Sequence, residues 1–181
     1  ADLLVTAGHC LQSQAQCEQN LWVFGYVDGI SEVKHEDVYN CKEIVSQELN
    51  SNNDFAVIRL DRPVVGREPL KLRKEGSIAA TDKLAVIGHP SGLPLKIDDG
   101  GQVRDVNANF NFFIAELDTY GGNSGSPVFN LATHTVEGIL VRGERDYVWD
   151  ADDGCAVSNV CATGTCRGED VQKITKVTNL P

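Results

Sequence analysis

The sequence is short of positive charge: 16 Lys and Arg stand against 26 Asp and Glu, giving a formal net charge of −10. Nucleic acid is held by clustered cations, so this balance excludes it as an expected partner. An acidic surface instead favours cationic substrates. No apolar run approaches the roughly 18–20 residues that a membrane helix needs, and no membrane partner is expected. There is no signal-peptide pattern at the start. No long stretch sustains a period of 3.6 residues, and neither an internal repeat nor a low-complexity tract occurs. No Cys-x-x-Cys pair and no His/carboxylate cluster is present. That argues against a zinc site at Cys155, Cys161 and Cys166 and against a metal-dependent hydrolase, so neither metal nor cofactor is expected.

What the chain does have is strand. At 181 residues and 41% hydrophobic it can bury a sizeable core. Short runs rich in β-formers cover 21–27, 38–45, 55–60, 84–87, 110–117, 128–129 and 136–141. Each is bounded by Gly, Pro, Asn or Asp, the pattern of a sandwich or barrel. The helical expectations are a short turn within 10–20 and a C-terminal helix over 169–177, where Val171, Ile174 and Val177 fall three apart. Residues 61–69, with two prolines and a glycine, read as a linker between two strand-rich halves. Residues 98–101 read as a loop tip, and 146–154 as an acidic loop carrying Trp149. The 150–154 segment offers carboxylates that could hold calcium, but it lacks the full ligand pattern and is expected to be a solvated loop.

Six cysteines, at 10, 17, 41, 155, 161 and 166, suggest disulfides and an oxidising compartment. Three lie toward each end, so either one bridge crosses the halves or a partner lies upstream of this sequence.

The chemistry centres on Gly121-Gly122-Asn123-Ser124-Gly125-Ser126-Pro127-Val128. A hydroxyl flanked by glycines can present its Oγ and its own N–H to one incoming group, which suits a nucleophile beside an oxyanion hole. Serine needs a base, and histidine has the right pKa. His35, His89 and His134 read as surface or turn residues. His9, in Thr6-Ala7-Gly8-His9-Cys10, follows an apolar strand. Asp54, leading into Phe55-Ala56-Val57-Ile58, can fix the imidazole tautomer.

These three segments resemble, in order, the His, Asp and Ser motifs of the chymotrypsin/trypsin-like serine proteases. The Asp118-Thr119-Tyr120-Gly121 stretch, Ser-Gly-Ser-Pro and Gly88-His89-Pro90-Ser91-Gly92 look like the V8/glutamyl-endopeptidase branch. The resemblance implies an all-β fold of two Greek-key antiparallel barrels. Residues 1–68 would carry His9 and Asp54, and 69–181 would carry Ser124 and the specificity pocket. Only eight residues precede His9, so the first barrel is expected to be incomplete at its N-terminus. It further implies Ser124 as nucleophile, His9 as general acid/base, Asp54 as orienter, and the N–H groups of Gly122 and Ser124 as the oxyanion hole. Asn123 stands where trypsin has the aspartate that pairs with a freed N-terminus, so that zymogen switch is not expected. Tyr120 replaces a cysteine, so the usual disulfide beside the serine is absent.

For specificity, the resemblance points to Asp118 and Thr119 and to the wall strand with Leu140, Val141 and Arg142. Leu140 stands where glutamate-specific relatives have a histidine, and Arg142 would partly offset Asp118 if both faced inward. The expectation is a secreted, extracellular or periplasmic, endopeptidase that cleaves after Lys or Arg. Its partners would be polypeptide substrates and protein protease inhibitors. A catalytically silent homologue acting as a binding module is the alternative.

Overall fold

The structure, a computed structural model, describes residues 1–107, 110–162 and 164–181. A four-stranded antiparallel sheet comes first, from β1 (Leu3–Thr6), β2 (Leu21–Val23), β3 (Val38–Leu49) and β4 (Asp54–Leu60), in the order β1-β4-β3-β2. The rest forms a closed six-stranded barrel. Its strands are β5 (Lys83–Gly88), β6 (Lys96–Asp105), β7 (Phe112–Glu116), β8 (Pro127–Asn130), β9 (Thr135–Arg142) and, after a separate hairpin, β12 (Glu169–Lys173). Their order around the barrel is β12-β7-β6-β5-β8-β9. The hairpin is β10 (Tyr147–Asp150) with β11 (Cys155–Ser158). Between β4 and β5 the chain makes only the isolated bridge Leu72↔Val136 among the described residues. No helix of these residues is long and apolar enough to cross a membrane.

The apolar run of β4 has no polar alternation because both of its faces are covered. Phe55 and Val57 face one cluster, while Ala56, Ile58 and Leu60 face another with Leu11, Cys17 and Tyr39. The Phe55/Val57 cluster lies between sheet and barrel, since Phe112, Ile139 and Val141 also belong to it. Each large side chain buried there contributes about 2 kcal/mol. Successive barrel residues alternate: Phe113, Leu140 and Val171 fill the interior, and Phe112, Ile139 and Val141 turn outward to the sheet.

Several expectations are corrected. The 169–177 segment is not a helix but strand β12 followed by one 3-10 turn, Ile174–Lys176. Its three-residue spacing serves two cores, because Val171 enters the barrel and Ile174 and Val177 join the intervening cluster. Pairing with both β7 and β9 closes the barrel and overrides the local pattern. Residues 98–101 are not a loop tip but lie inside β6, where the register shifts opposite Leu84 and Val86. Gly101 is crowded there, since a Cβ would stand 2.4 Å from the end of the Leu117 side chain and 3.1 Å from the Leu84 carbonyl oxygen. The acidic 146–154 loop includes strand β10, and Asp150 Oδ1 caps the turn after it by accepting the N–H groups of Asp152 and Asp153. The short helix expected within 10–20 is α1 (Gln14–Gln19), capped by Ser13. Cys17 of α1 bonds Cys41 of β3 across 24 residues, a closure that contributes about 3 kcal/mol. Cys161 pairs with Cys166, so neither bridge joins the halves, and Cys10 and Cys155 are free.

Candidate active site

His9 sits on a 3-10 turn, Gly8–Cys10, directly after β1. Gly8 anchors that turn, because a Cβ there would lie 2.4 Å from the Glu48 carbonyl oxygen. Asp54 opens β4 and is 2% exposed. Its Oδ1 accepts the His9 backbone N–H at 2.9 Å, and its Oδ2 lies 2.9 Å from His9 Nδ1. An ionised carboxylate only accepts, so the proton belongs on Nδ1. That leaves the Nε2 lone pair facing Ser124 Oγ, 2.9 Å away.

Ser124 reaches this position because its loop runs tight against both β1 and the segment after β5. Gly125, at φ 88°, leaves no space for a Cβ, which would meet Thr6 Oγ1 at 2.4 Å. Gly122, at φ 101°, lies against the His89 carbonyl. The Gly121 carbonyl accepts the Ser91 N–H at 2.6 Å. In a planar trans peptide this turns the Gly122 N–H the opposite way. The N–H groups of Asn123, Gly125 and Ser126 are bonded to Tyr120, Leu140 and Asn123 carbonyls. Those of Gly122 and Ser124 have no acceptor among the described residues.

A family model described as a trypsin-like peptidase domain matches residues 1–139. The chain belongs to the trypsin-like peptidase family. Its fold is also that of solved members, all at low identity. Kallikrein-related peptidase 10 is 18% identical with a TM-score of 0.62, over 97% of this chain and 80% of that one. A Glu endopeptidase is 19% identical with a TM-score of 0.59, over 97% and 76%. A scabies mite inactivated protease paralogue is 17% identical with a TM-score of 0.69, over 96% and 79%. A search of curated protein sequences finds no match.

Two features of this trypsin-like site are not evident in the sequence. The first is Cys10, the exposed residue that follows His9 on the same turn. Burial, then the Asp54 charge, pushes that thiol above its usual range. A shift in this direction disfavours the thiolate, the nucleophilic form of cysteine.

The second is a cavity of about 560 Å³ beside Asp118, Thr119 and Tyr120. Asp98, Glu116, Asp118, Glu144, Asp146 and Glu169 line it against only Arg104 and Arg145. Arg104 is committed to the backbone, donating to the Gly164 carbonyl at 2.8 Å and to that of Cys166. Asp118 is exposed, and its N–H donates to Asp98 Oδ2 at 2.9 Å. Asp146 Oδ2 accepts the Gly121 N–H at 2.7 Å, tying the cavity to the serine loop. Glu169 is the deepest acid, 9% exposed. Its carboxylate occupies the space a side chain on Gly143 would fill, since a Cβ there would lie 1.8 Å from it. Burial raises the Glu169 carboxyl above its ordinary value, opposed by bonds from the Glu144 N–H and Thr119 and assisted by the Asp146 charge. The register signal for Glu169 is Asp170 pairing with Arg142, which sets its neighbour against Gly143.

The wall strand runs against the serine loop, with the Leu140 backbone bonded to Gly125 and Ser126, but its side chains do not line the cavity. Leu140 is inside the barrel and Val141 is in the core facing the sheet. Arg142 donates to Asp170 Oδ2 at 2.8 Å and stacks over Phe112, so it does not offset Asp118. The alternation of β9 forces this split, and strand identity alone could not reveal it.

Proposed function

We propose that the protein is a secreted serine endopeptidase acting through Ser124, His9 and Asp54, with residues 1–68 and 69–181 as its two units. The observation that carries this reading is the unbroken Asp54–His9–Ser124 relay beside two unused N–H groups. Ser124 Oγ attacks the scissile carbonyl carbon as His9 Nε2 takes its proton. Asp54 keeps the ring oriented and stabilises the imidazolium. The tetrahedral oxyanion accepts from the Gly122 and Ser124 N–H groups. His9 then gives its proton to the leaving amine, the C–N bond breaks, and an acyl-Ser124 ester remains. Water repeats the sequence, yielding its proton to His9 and attacking the ester, and Ser124 departs reprotonated.

The acidic cavity supports a preference for Lys or Arg before the cleaved bond, with Asp118 and Glu169 as the acids facing it. Two disulfides support an oxidising, extracellular or periplasmic location. Protein protease inhibitors would occupy the same cleft as polypeptide substrates.

A fluorophosphonate probe tests the reaction: it should label the protein at Ser124, and Ser124→Ala should take no label. Absence of an adduct on the folded protein would favour the silent binding module. A peptide panel tests the preference, and faster cleavage after Glu or Phe than after Arg would refute it.

A further inference from the structure

Two barrel side chains reach out to the residues that begin β4. Gln172, on the outward face of β12, is fully buried. Its Oε1 accepts the Asp54 backbone N–H at 2.9 Å, and its Nε2 donates to the Asn111 carbonyl at 3.1 Å. Asn111 Nδ2 in turn donates to Asn53 Oδ1 at 2.7 Å. The cross-strand neighbours of Gln172 are apolar, Phe112 on β7 and Ile139 on β9. An amide is costly to bury there unless both of its ends are bonded, as they are here. The β1–β4 ladder stops at Thr6↔Ala56, so the Asp54 N–H lies beyond it and takes its acceptor from the barrel.

We propose that Gln172 is a positioning residue which, with Asn111, clamps Asn53-Asp54 against the barrel and so sets the Asp54 carboxylate and the His9 ring relative to Ser124. The inference rests on the triad reading above. Both Asp54 oxygens are occupied by His9, so the location of the carboxylate follows that of its own backbone. The clamp crosses from the sheet that carries base and orienter to the barrel that carries the nucleophile. Geometry of this kind controls rate steeply, since a shift of about 1 Å can lose roughly 100-fold.

The test contrasts Gln172→Met, which keeps length and volume but offers only a weak thioether acceptor and no donor, with Gln172→Glu, which keeps an accepting oxygen. Fluorophosphonate labelling rates are measured across pH, together with the NMR position of the His9 Nδ1 proton and the unfolding midpoint. The Met variant should fold, label roughly 10- to 100-fold more slowly and shift the Nδ1 proton. The Glu variant keeps both bonds only as the neutral acid, donating to the Asn111 carbonyl and accepting the Asp54 N–H, so relative to wild type at the same pH it should recover most of the rate at the acid end of the profile. If Gln172→Met does not fold, Asn111→Ala carries the comparison, with a smaller loss in the same direction. A Met variant with wild-type rate and Nδ1 position, or Met and Glu variants that fall equally at the acid end, would overturn the clamp. Should the wild-type protein itself take no label, the peptidase reading fails, and the Nδ1 comparison alone decides the clamp.

Discussion

The relay and the acidic cavity flank one loop, yet they treat charge in opposite ways. In the relay a single buried carboxylate has both oxygens satisfied by one histidine, and a distant amide fixes its backbone. In the cavity six carboxylates crowd one space, and the Glu169 carboxyl is raised by burial. The relay is complete without a ligand. The cavity keeps an excess of negative charge, six acids against Arg104 and Arg145 with Arg167 acting on Glu144 and Glu169, which a cationic group would reduce. A site that performs chemistry must hold its geometry before substrate arrives, whereas a site that selects substrate gains by leaving the charge for the substrate to supply.

Breaking the relay should have the largest effect. Asp54→Asn removes the acceptor that fixes the His9 tautomer, and kcat should fall about 10⁴-fold while KM changes little. Active-site titration with steady-state kinetics measures this, and a loss confined to KM would contradict the assigned role. Breaking the cavity should cost less and act selectively. Asp118→Asn and Glu169→Gln should each lower kcat/KM for an Arg substrate by about 2 kcal/mol, roughly 30-fold. Cleavage after an uncharged residue should be nearly unaffected. Equal losses on both substrates would assign these acids to folding rather than to selection.

The same contrast explains what could be read from the chain. Every member of the relay sits in a short segment with its own signature: a strand-ending Gly8-His9, an Asp54 that opens an apolar strand, and a Ser124 between glycines. Each is local, so sequence reveals it. The cavity is lined by residues 98, 100, 102, 104, 116–120, 144–146, 159–162, 164, 166, 168 and 169, which only the closed barrel brings together. That Asp118 lines the cavity matches the position the family resemblance gives it, six residues before Ser124. Glu169 was read as the start of a helix, because the three-residue spacing after it imitates a helical face. Gln172 gave no signal at all, since an amide on an outward strand position is ordinary until the facing sheet is known. Strand identity was mostly legible from β-branched and aromatic runs. The bulged β6 and the acidic β10–β11 hairpin were not, because Gly and Asp are usually punctuation.

The smallest effect to be expected is on stability, and its sign is fixed by Glu169. The folded protein holds this proton more tightly than the unfolded chain does, chiefly through burial. Below the usual carboxylate range both states are protonated, and no penalty exists. As pH rises through that range and on to the elevated folded value, the unfolded chain ionises first and folding loses ground. Urea unfolding of the wild type and of Glu169→Gln, compared from acid to neutral pH, isolates this group because other titrations cancel in the difference. The wild type should lose stability relative to the variant as pH rises. A small amidinium such as benzamidine should offset part of that loss, because a bound cation favours the ionised acid and binds only the folded state. If the wild type instead gains on the variant with rising pH, Glu169 is stabilised as an anion by its own neighbours. The cavity would then be as self-sufficient as the relay, and a cationic group would no longer be what completes it.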